Sequence, residues 1–387
     1  MCCPCAALEG TPAKACWVGL SANMRSWRAP RGRRLRRCTN SDSVERLSVA
    51  VGAMREPARS AFVFVESLES RYRLLQCIGR GSFGEVQLAS RRDDASGARA
   101  FAVKIFDKAP PSWVRGPQRR LTRSFVFSGV AIGLRHPNIV RFLEFVVDES
   151  RSSVELARIV PVMEALHGPD LFDWLALRRA EVASGRGTWI TTRDVACIAG
   201  QVLRGLQYLH DGKVRLVHRD VKPENFRFAA CEPDADLKLV DFGTVFVSGF
   251  KDAMEGLVVG TPRYRAPEAF APVCASRGPP SPALDMYSFG VVLFLLYSGY
   301  FPRAPSNGAA MKGPADTSAF PWHCIPDDVA DLLRALLAEA PEMRKSAAVV
   351  LLHDCLRGSC GSLGKPGELD AVELPMSSEP IDRLRLL

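Results

Sequence analysis

The hydrophobic pattern changes partway along the chain, and this change constrains the fold more than any other feature of the sequence. Between residues 72 and 163, apolar residues alternate with polar ones in short segments, which is typical of half-buried strands. After Glu164 the apolar residues recur at three- and four-residue spacing, which is typical of core-facing helices. Strands followed by helices predict an α+β protein, with a sheet in its first part and mainly helices in its second.

A glycine-rich turn separates the first two predicted strands. The stretch YRLLQCIGRGSFGEVQLASRR has the pattern strand, turn, strand, and ARAFAVKIF follows as a third strand. Segments 142–148 and 153–163 are predicted as two more, so we expect a five-stranded antiparallel sheet with one helix somewhere in 118–134. No helix opens directly after the glycines. The motif therefore differs from the dinucleotide-binding fingerprint, in which a helix N-terminus receives the pyrophosphate.

Both ends of the chain are predicted to be tails around one folded region. Residues 1–70 carry 11 basic and 6 acidic side chains, with seven arginines between positions 25 and 37, and we expect a disordered basic arm there. The folded region is predicted over 71–358, with lobes 71–163 and 164–358, and a loose polar tail over 359–387. The arm could attract an anionic membrane, nucleic acid or a targeting receptor, and its first cysteines could be acylated.

Composition excludes several classes of protein. The chain is 47% hydrophobic and 24% charged, as globular proteins are, and its apolar runs are shorter than the roughly 20 residues that span a bilayer. The N-terminus lacks the pattern of a secretory signal, and the twelve cysteines show neither a compact disulfide framework nor paired zinc spacing. We expect a cytoplasmic protein without a DNA-binding domain. Membrane association, an organelle and the nucleus are alternatives that the arm would direct.

A series of short motifs runs through the folded region in one order: IGRGSFGEV, FAVK, HPNIV, HRDVKPEN, DFG, GTPRYRAPE and DMYSFG. Together they resemble the eukaryotic protein kinases over roughly residues 72–356, and KPENFRF with LKLVDFG is most similar to the calcium/calmodulin-dependent serine/threonine group. No DxDxDG loop occurs, so no EF-hand is expected. The resemblance implies a bilobal kinase fold that uses ATP and Mg²⁺ to phosphorylate Ser or Thr of protein substrates.

The resemblance also implies a role for each matched residue. Asp220 would accept or orient the proton of the substrate hydroxyl, and Lys222 would contact the transferring phosphate. Asn225 and Asp241 would hold Mg²⁺, which prefers oxygen ligands and phosphate oxygens to a complete protein cage. ATP would be bound by Gly79, Arg80, Gly81, Gly84, Val86, Ala102, Lys104, Glu164, Leu166 and Asp170. For Asp170, a helix-capping role is an alternative.

Two further pairings are implied for the framework of the second lobe. Glu268 would pair with Arg344, and Asp285 would anchor the backbone of the catalytic loop.

Three positions depart from the kinase pattern. Phe127 stands nine residues before the histidine of HPNIV, where this group has a glutamate that pairs with the lysine of the third strand. The nearest acids are Asp107 and Glu144, and neither is expected to replace that glutamate. Arg227 lies where an apolar residue usually closes the floor of the adenine pocket, and Leu257 replaces the usual phosphorylated hydroxyl.

These departures leave a second interpretation open. The chain would then be a pseudokinase or scaffold that transfers phosphate weakly or not at all. The presence of Lys104, Asp220, Asn225 and Asp241 together favours the enzyme, whereas Phe127 and Arg227 favour the scaffold.

Overall fold

The computed structural model of the protein describes residues 59–81, 84–94, 99–106, 128–150, 158–186, 189–212, 215–232, 235–248, 258–270, 279–299, 301 and 325–356. The chain divides into two compact units. The first unit consists of Met1–Arg135 with Arg141–Ala165, and the second of His136–Val140 with Leu166–Leu387. The arginine-rich part of the arm, Phe127, Leu257 and the predicted C-terminal tail lie outside the described residues. Within the described ranges, no helix is both long and apolar enough to cross a membrane.

The first unit is built on one sheet of six strands in the order β1-β5-β6-β4-β3-β2. All neighbouring strands are antiparallel except β1 and β5. In chain order the strands are β1 (Phe62–Val65), β2 (Tyr72–Gly81), β3 (Gly84–Arg91), β4 (Ala100–Ile105), β5 (Phe142–Asp148) and β6 (Arg158–Glu164). The sheet buries an apolar core that includes Leu68, Tyr72, Val103, Val146 and Val162.

The predicted sheet of five strands is corrected by the extra strand β1. This strand and the short helix α1 (Leu68–Arg71) that follows it lie inside residues 1–70, so the expectation of a tail is wrong for residues 59–70. Phe62 pairs in parallel with Phe145, and their rings stack with centroids 5.7 Å apart. The sequence FVFV is too short for its period to be distinctive, and the paired residues Phe62 and Phe145 are 83 positions apart, so no local pattern indicates the strand.

The predicted helix within 118–134 is only partly covered by the described residues. Residues 128–131 are helical, and the chain turns after them toward the HPN motif. Ser128, Val130 and Ala131 are buried.

A buried ionic cluster ties the start of β2 to the sheet. Glu144 on β5 is 6% exposed, and its carboxylate accepts hydrogen bonds from Arg71 (2.8 and 2.9 Å), the Tyr72 hydroxyl (2.7 Å) and Arg91 (2.6 Å). Burial alone would raise the pKa of Glu144, but these donors lower it below its ordinary value. The Glu144 carboxylate is therefore used by this cluster, in line with the expectation that Glu144 is not the partner of Lys104 on β4.

We expect Glu144→Gln to lower the free energy of unfolding by about 1–3 kcal/mol, because two guanidinium groups would lose their shared carboxylate. Urea denaturation measures this. The pKa of Glu144 is lowered by folding, so its contribution is present above the ordinary pKa and disappears as the pH falls through the lower, folded value. The difference in free energy of unfolding between the variant and the wild type should therefore disappear at acidic pH. A difference that stays constant with pH would contradict this role of Glu144.

The second unit is mainly helical. Its longer elements are α2 (Leu171–Ala183), α3 (Thr192–Asp211), α4 (Ala283–Ser298) and α5 (Asp327–Leu336). Two short strand pairs accompany them: β7 (Leu216–Val217) with β10 (Phe246–Val247), and β8 (Phe226–Phe228) with β9 (Leu237–Leu239).

The two central helices differ in how the sequence specifies them. α3 begins directly after Thr191, whose side chain caps it, and Thr191 and Asp194 form a reciprocal capping box. Its apolar residues at three- and four-residue spacing face the core, as predicted. α4 instead is buried on nearly every side and ends at Gly299, whose φ of 70° is the left-handed conformation that glycine adopts easily.

Candidate active site

One face of the first unit's sheet collects the residues expected to bind the nucleotide. Gly79 pairs with Val86, and Val86 pairs with Lys104, so these three positions form one row across β2, β3 and β4. Ala102 lies two residues before Lys104 and directly opposite Met163 on β6. Because directly paired residues, and residues two apart on a strand, share a face of the sheet, all five lie on one side.

The glycine-rich turn requires glycine at one described position in particular. Gly84 pairs with Gly81 and has a φ of 155°. A Cβ at Gly84 would lie 2.0 Å from the carbonyl oxygen of Ile105, so any other residue would have to displace the backbone of β4. Ser82 and Phe83, at the tip of the turn, lie outside the described residues. Arg80 points its side chain outward toward Glu85, with 3.7 Å between Nε and Oε2, so its backbone is the part that can face a ligand.

Lys104 is the cation that the first unit contributes. The residue is 9% exposed, and its Nζ lies 5.6 Å from the centroid of the Phe106 ring. An aromatic face at this distance attracts an ammonium group. Phe106 follows two residues later and is 36% exposed.

The chain that leaves β6 carries the residues expected to meet the adenine. Glu164 closes β6: its backbone N–H donates to the carbonyl of Arg141 and its side chain accepts from the backbone N–H of Arg141. Leu166 begins the second unit and is buried. Among the backbone hydrogen bonds of the described residues, none uses the N–H or the carbonyl of Leu166.

In the second unit, the β8–β9 hairpin brings the two expected magnesium ligands to one end of a ladder. Asn225 directly precedes β8 and Asp241 follows β9 by two residues, and antiparallel pairing places these ends side by side. The Val240 N–H donates to the carbonyl of Asn225 at 2.8 Å, which fixes the arrangement. Asp241 has a φ of 29°, an uncommon value for a residue with a side chain, and accepts from the Gly243 N–H at 3.0 Å.

Asp220 is the centre of a hydrogen-bond network in the second unit. Its Oδ1 accepts from both the N–H and the hydroxyl of Thr261, each at 2.8 Å. Its Oδ2 lies 3.2 Å from the Lys222 Nζ and 3.2 Å from the amide nitrogen of Asn225. The Lys222 Nζ also donates to the Thr261 hydroxyl at 2.6 Å. The network therefore joins the carboxylate, the lysine and the expected metal ligand.

Thr261 is a site residue that sequence reasoning did not assign. It lies forty-one residues after Asp220, within GTPRYRAPE, a motif used only as a family signature. The preceding Gly260 has a φ of 89°, and a Cβ there would lie 2.2 Å from the carbonyl oxygen of Arg219. The glycine of this motif, which allows such a close approach, was the signal that could have found the contact.

The loop that carries Asp220 is anchored by the buried carboxylate of Asp285. Asp285 is fully buried and accepts from the backbone N–H groups of His218 and Arg219, both at 2.7 Å, and from His210 Nε2 at 2.9 Å. This confirms the expected anchoring role of Asp285. Burial would raise the pKa of Asp285, but the His210 hydrogen bond and the nearby donors hold it below its ordinary value.

The residue before Asp220 adopts an unusual backbone conformation. Arg219 has a φ of 67°, and its Nε donates to the carbonyl of Thr244 at 2.7 Å. Its guanidinium carbon lies 5.8 Å from the centroid of the Phe246 ring.

The structure also shows the local contacts of Asp170 and Arg227. Asp170 caps α2, since its Oδ1 accepts from the Asp173 N–H at 2.8 Å, which is the alternative role considered for it. Arg227 lies between the buried Phe226 and Phe228 on β8, so it faces the opposite side of the hairpin. Its Nε is buried, and no described residue provides it with a hydrogen-bond partner.

The site's residues fit a magnesium ion by the chemistry of their donors. The Asn225 side-chain nitrogen donates to the Asp220 carbonyl at 2.7 Å, so the amide oxygen is the atom turned toward other partners. An amide oxygen and a carboxylate are ligands that Mg²⁺ prefers. Among the described residues, no three or more His, Cys, Asp or Glu side chains form a group that could hold a metal ion by themselves.

Comparison with known proteins agrees with this geometry. The sequence profile of the protein kinase domain matches residues 72–356. The chain belongs to the protein kinase family. This kinase is similar to the "Calcium/calmodulin-dependent protein kinase type 1" of Macrobrachium nipponense, with 31% identity over 302 residues that cover 76% of this chain and 78% of the relative. The type 1 kinase of Caenorhabditis elegans and the type 1B kinase of Rattus norvegicus are each 30% identical and cover 76% of this chain.

A second structural pair of the kinase fold is also present. Arg344 donates to both carboxylate oxygens of Glu268, at 2.6 and 2.8 Å, and its guanidinium carbon lies 5.0 Å from the centroid of the Tyr287 ring. Bidentate geometry of this kind makes the pair both strong and directional. The predicted pairing is confirmed, and it fixes the end of the segment that contains Thr261.

Proposed function

We propose that this kinase transfers the γ-phosphate of MgATP to Ser or Thr side chains of protein substrates. The observation that carries the proposal is the network of Asp220, Lys222, Asn225 and Thr261. Phosphoryl transfer needs charge and positioning more than covalent chemistry, and the network provides both.

Within this proposal, each site residue of the second unit has a distinct role. Asp220 accepts or orients the proton of the acceptor hydroxyl, since Thr261 fixes the orientation of its carboxylate. Lys222 brings a positive charge to the phosphate in transfer, and Asn225 with Asp241 would hold Mg²⁺. When bound, Mg²⁺ neutralises charge that develops on the phosphate oxygens.

The first unit supplies the nucleotide contacts of the proposal. Gly79, Gly81 and Gly84 let the backbone come close to the phosphates, and Lys104 offers them a point charge. Val86 and Ala102, on the same face, would contact the adenine ring. In the second unit, the backbone N–H and carbonyl of Leu166 would hydrogen-bond to the polar edge of the adenine.

The acceptor is expected to be Ser or Thr, with a mild preference for basic residues on its N-terminal side. Lys222 follows Asp220 by two residues, as in the serine/threonine kinases, and Glu224 with Asp170 would supply the negative charge that attracts basic residues. Incubating the protein with labelled ATP, magnesium and a peptide panel, followed by phosphoamino-acid analysis, tests this. Label found mainly on tyrosine, or mainly on acidic sites lacking N-terminal basic residues, would refute it.

A pseudokinase is the second candidate, and the observation that favours it is Arg227. A buried Nε without a partner among the described residues is costly, and the resemblance implies an apolar residue at this position. The two candidates differ in nucleotide use, so nucleotide binding is the first property to measure.

We expect MgATP to raise the melting temperature. At a ligand concentration 100-fold above Kd, linkage adds about 2.7 kcal/mol to the free energy of unfolding. Omitting magnesium should reduce the shift, because Asn225 and Asp241 act through the metal. A thermal-shift titration measures both effects, and the absence of any shift at millimolar MgATP would refute the nucleotide site.

We also propose that the kinase is located in the cytoplasm. A cytoplasmic kinase agrees with the sequence, and the arginine-rich arm is the segment expected to redirect it to a membrane or an organelle.

A further inference from the structure

The turn that follows Thr261 carries two arginines, Arg263 and Arg265. Residues Pro262–Tyr264 form a 3-10 helix directly after Thr261, whose backbone N–H and hydroxyl bind Asp220. With a rise of about 2.0 Å per residue in such a helix, the Arg263 backbone is about 4 Å along the axis from Thr261. Both arginines therefore project from a segment that touches the catalytic carboxylate.

Arg265 is used within the segment itself. Its Nε donates to the carbonyl of Val259 at 3.0 Å, and its Nη2 donates to the carbonyl of Gly260. Its guanidinium carbon lies 4.9 Å from the centroid of the Phe270 ring, and burial lowers its pKa below the ordinary value. Arg265 thus braces the loop around Gly260 and Thr261 and has few donors left for a ligand.

Arg263 is in a different situation. Its guanidinium carbon lies 5.4 Å from the centroid of the Phe301 ring, and that ring meets Tyr264 edge to face at 5.3 Å. Within the described parts of the chain, no carboxylate or other hydrogen-bond acceptor pairs with the Arg263 guanidinium. The side chain is half-buried and held by an aromatic face, and no described residue occupies its N–H donors.

The charge of Arg263 reaches the catalytic region. Burial raises the pKa of Tyr264 well above its ordinary value; Glu224 and Asp220 raise it further, and Arg263 lowers it. All three charged groups are therefore close enough to act on the same hydroxyl. That hydroxyl is buried, and no described residue hydrogen-bonds to it.

We propose that Arg263 binds an anionic side chain of the protein substrate, located near the Ser or Thr that receives the phosphate. A guanidinium presents N–H groups in a planar fork that matches a carboxylate or a phosphate. The Phe301 ring already restricts the side chain, so binding an anion loses little conformational freedom. This inference rests on the proposed function and adds to it a second substrate determinant, separate from the basic preference attributed to Glu224.

The binding experiment uses the full chain and fluorescently labelled peptides with one central serine in an alanine and glutamine background. Each peptide carries one Asp, one phosphoserine or only neutral residues, with the charged residue moved through the positions around the serine. At one position or a few, we expect the wild type to bind the charged peptide about tenfold more tightly than the neutral one. The preference should weaken with added salt, because such pairs are screened over about 10 Å at 0.1 M ionic strength.

Two variants identify the residue responsible. In Arg263→Gln the charged and neutral peptides should bind within about twofold of each other, whereas Arg263→Lys should keep part of the preference, because it keeps the charge without the fork. The matched control is Arg334→Gln, which removes an exposed arginine paired with Asp331 on α5 and should keep the wild-type preference. The Asp and phosphoserine peptides show separately whether a carboxylate or a phosphate is preferred.

The outcomes separate this inference from the proposed function. If the wild type binds all peptides equally, or if Arg263→Gln keeps the preference, the inference is wrong even when serine is phosphorylated. If the preference depends on Arg263 but no peptide is phosphorylated, the inference stands and the proposed transfer fails. The same peptides assayed for kcat/KM should show the preference mainly in KM, as expected for a residue that binds substrate away from the transferred phosphate.

Discussion

Asp220→Asn is expected to lower kcat for phosphotransfer by about 10²- to 10⁴-fold, the usual contribution of a general base. The substitution keeps one oxygen that can accept from Thr261, so the loop should keep its position. It removes the charge that faces Lys222 and places an N–H₂ group beside another donor, the side-chain nitrogen of Asn225. The loss should therefore appear in kcat, because the acceptor hydroxyl has lost the group that takes its proton.

Two controls make the result for Asp220 specific. The variant should keep its thermal shift with MgATP, since Asn225 and Asp241 are unchanged. Asp331→Asn alters an exposed aspartate on α5 and should leave kcat unchanged. An Asp220→Asn protein with wild-type kcat would show that this carboxylate does not take part in the reaction.

Asp285→Ala should be the most destabilising of the substitutions considered, lowering the free energy of unfolding by about 3–5 kcal/mol. The carboxylate is fully buried, and its removal leaves the His218 and Arg219 N–H groups without an acceptor. Arg219, with its positive φ, would lose the contact that favours this conformation, so transfer should fail as well.

A milder variant and the pH dependence test the reasoning for Asp285. Asp285→Asn keeps one acceptor oxygen and should cost less than the alanine change. Folding lowers the pKa of Asp285, so its stabilisation is present above the ordinary value of about 3.9 and is lost as the pH falls through the lower value in the folded protein. Urea denaturation at neutral and acidic pH measures both. Equal stability of Asp285→Ala and wild type at neutral pH would contradict the anchoring role.

Much of the first unit could be predicted because its signals are local. The alternation in YRLLQCIGRGSFGEVQL specifies β2 and β3, and their glycines specify the turn. Once β4 pairs with β3, Val86 and Lys104 must lie side by side, so the position of Lys104 follows from the pattern. In the second unit, a cap at Thr191 or Thr192 with an acid in the first turn predicts the start of α3, and the structure places the cap at Thr191.

The rest depends on contacts between residues distant in sequence. β1 pairs with β5, and the Glu144 carboxylate accepts hydrogen bonds from Tyr72 and Arg91. The sequence around each of these residues does not indicate its distant partner. The contact between Thr261 and Asp220 likewise depends on how a loop folds back. The helical spacing of apolar residues after Glu164 predicts a helix at α4, but its burial on nearly all sides could not be read from a core-facing period alone.

The time course of phosphate transfer by the wild-type chain measures directly whether this protein is an active kinase. The purified protein would be incubated with γ-labelled ATP and a serine peptide, with and without magnesium. We expect label on serine that increases linearly with time, requires magnesium and disappears in the Asp220→Asn variant. Tight MgATP binding with no label on any peptide or on the protein itself would contradict it, and would identify the chain as a nucleotide-binding scaffold.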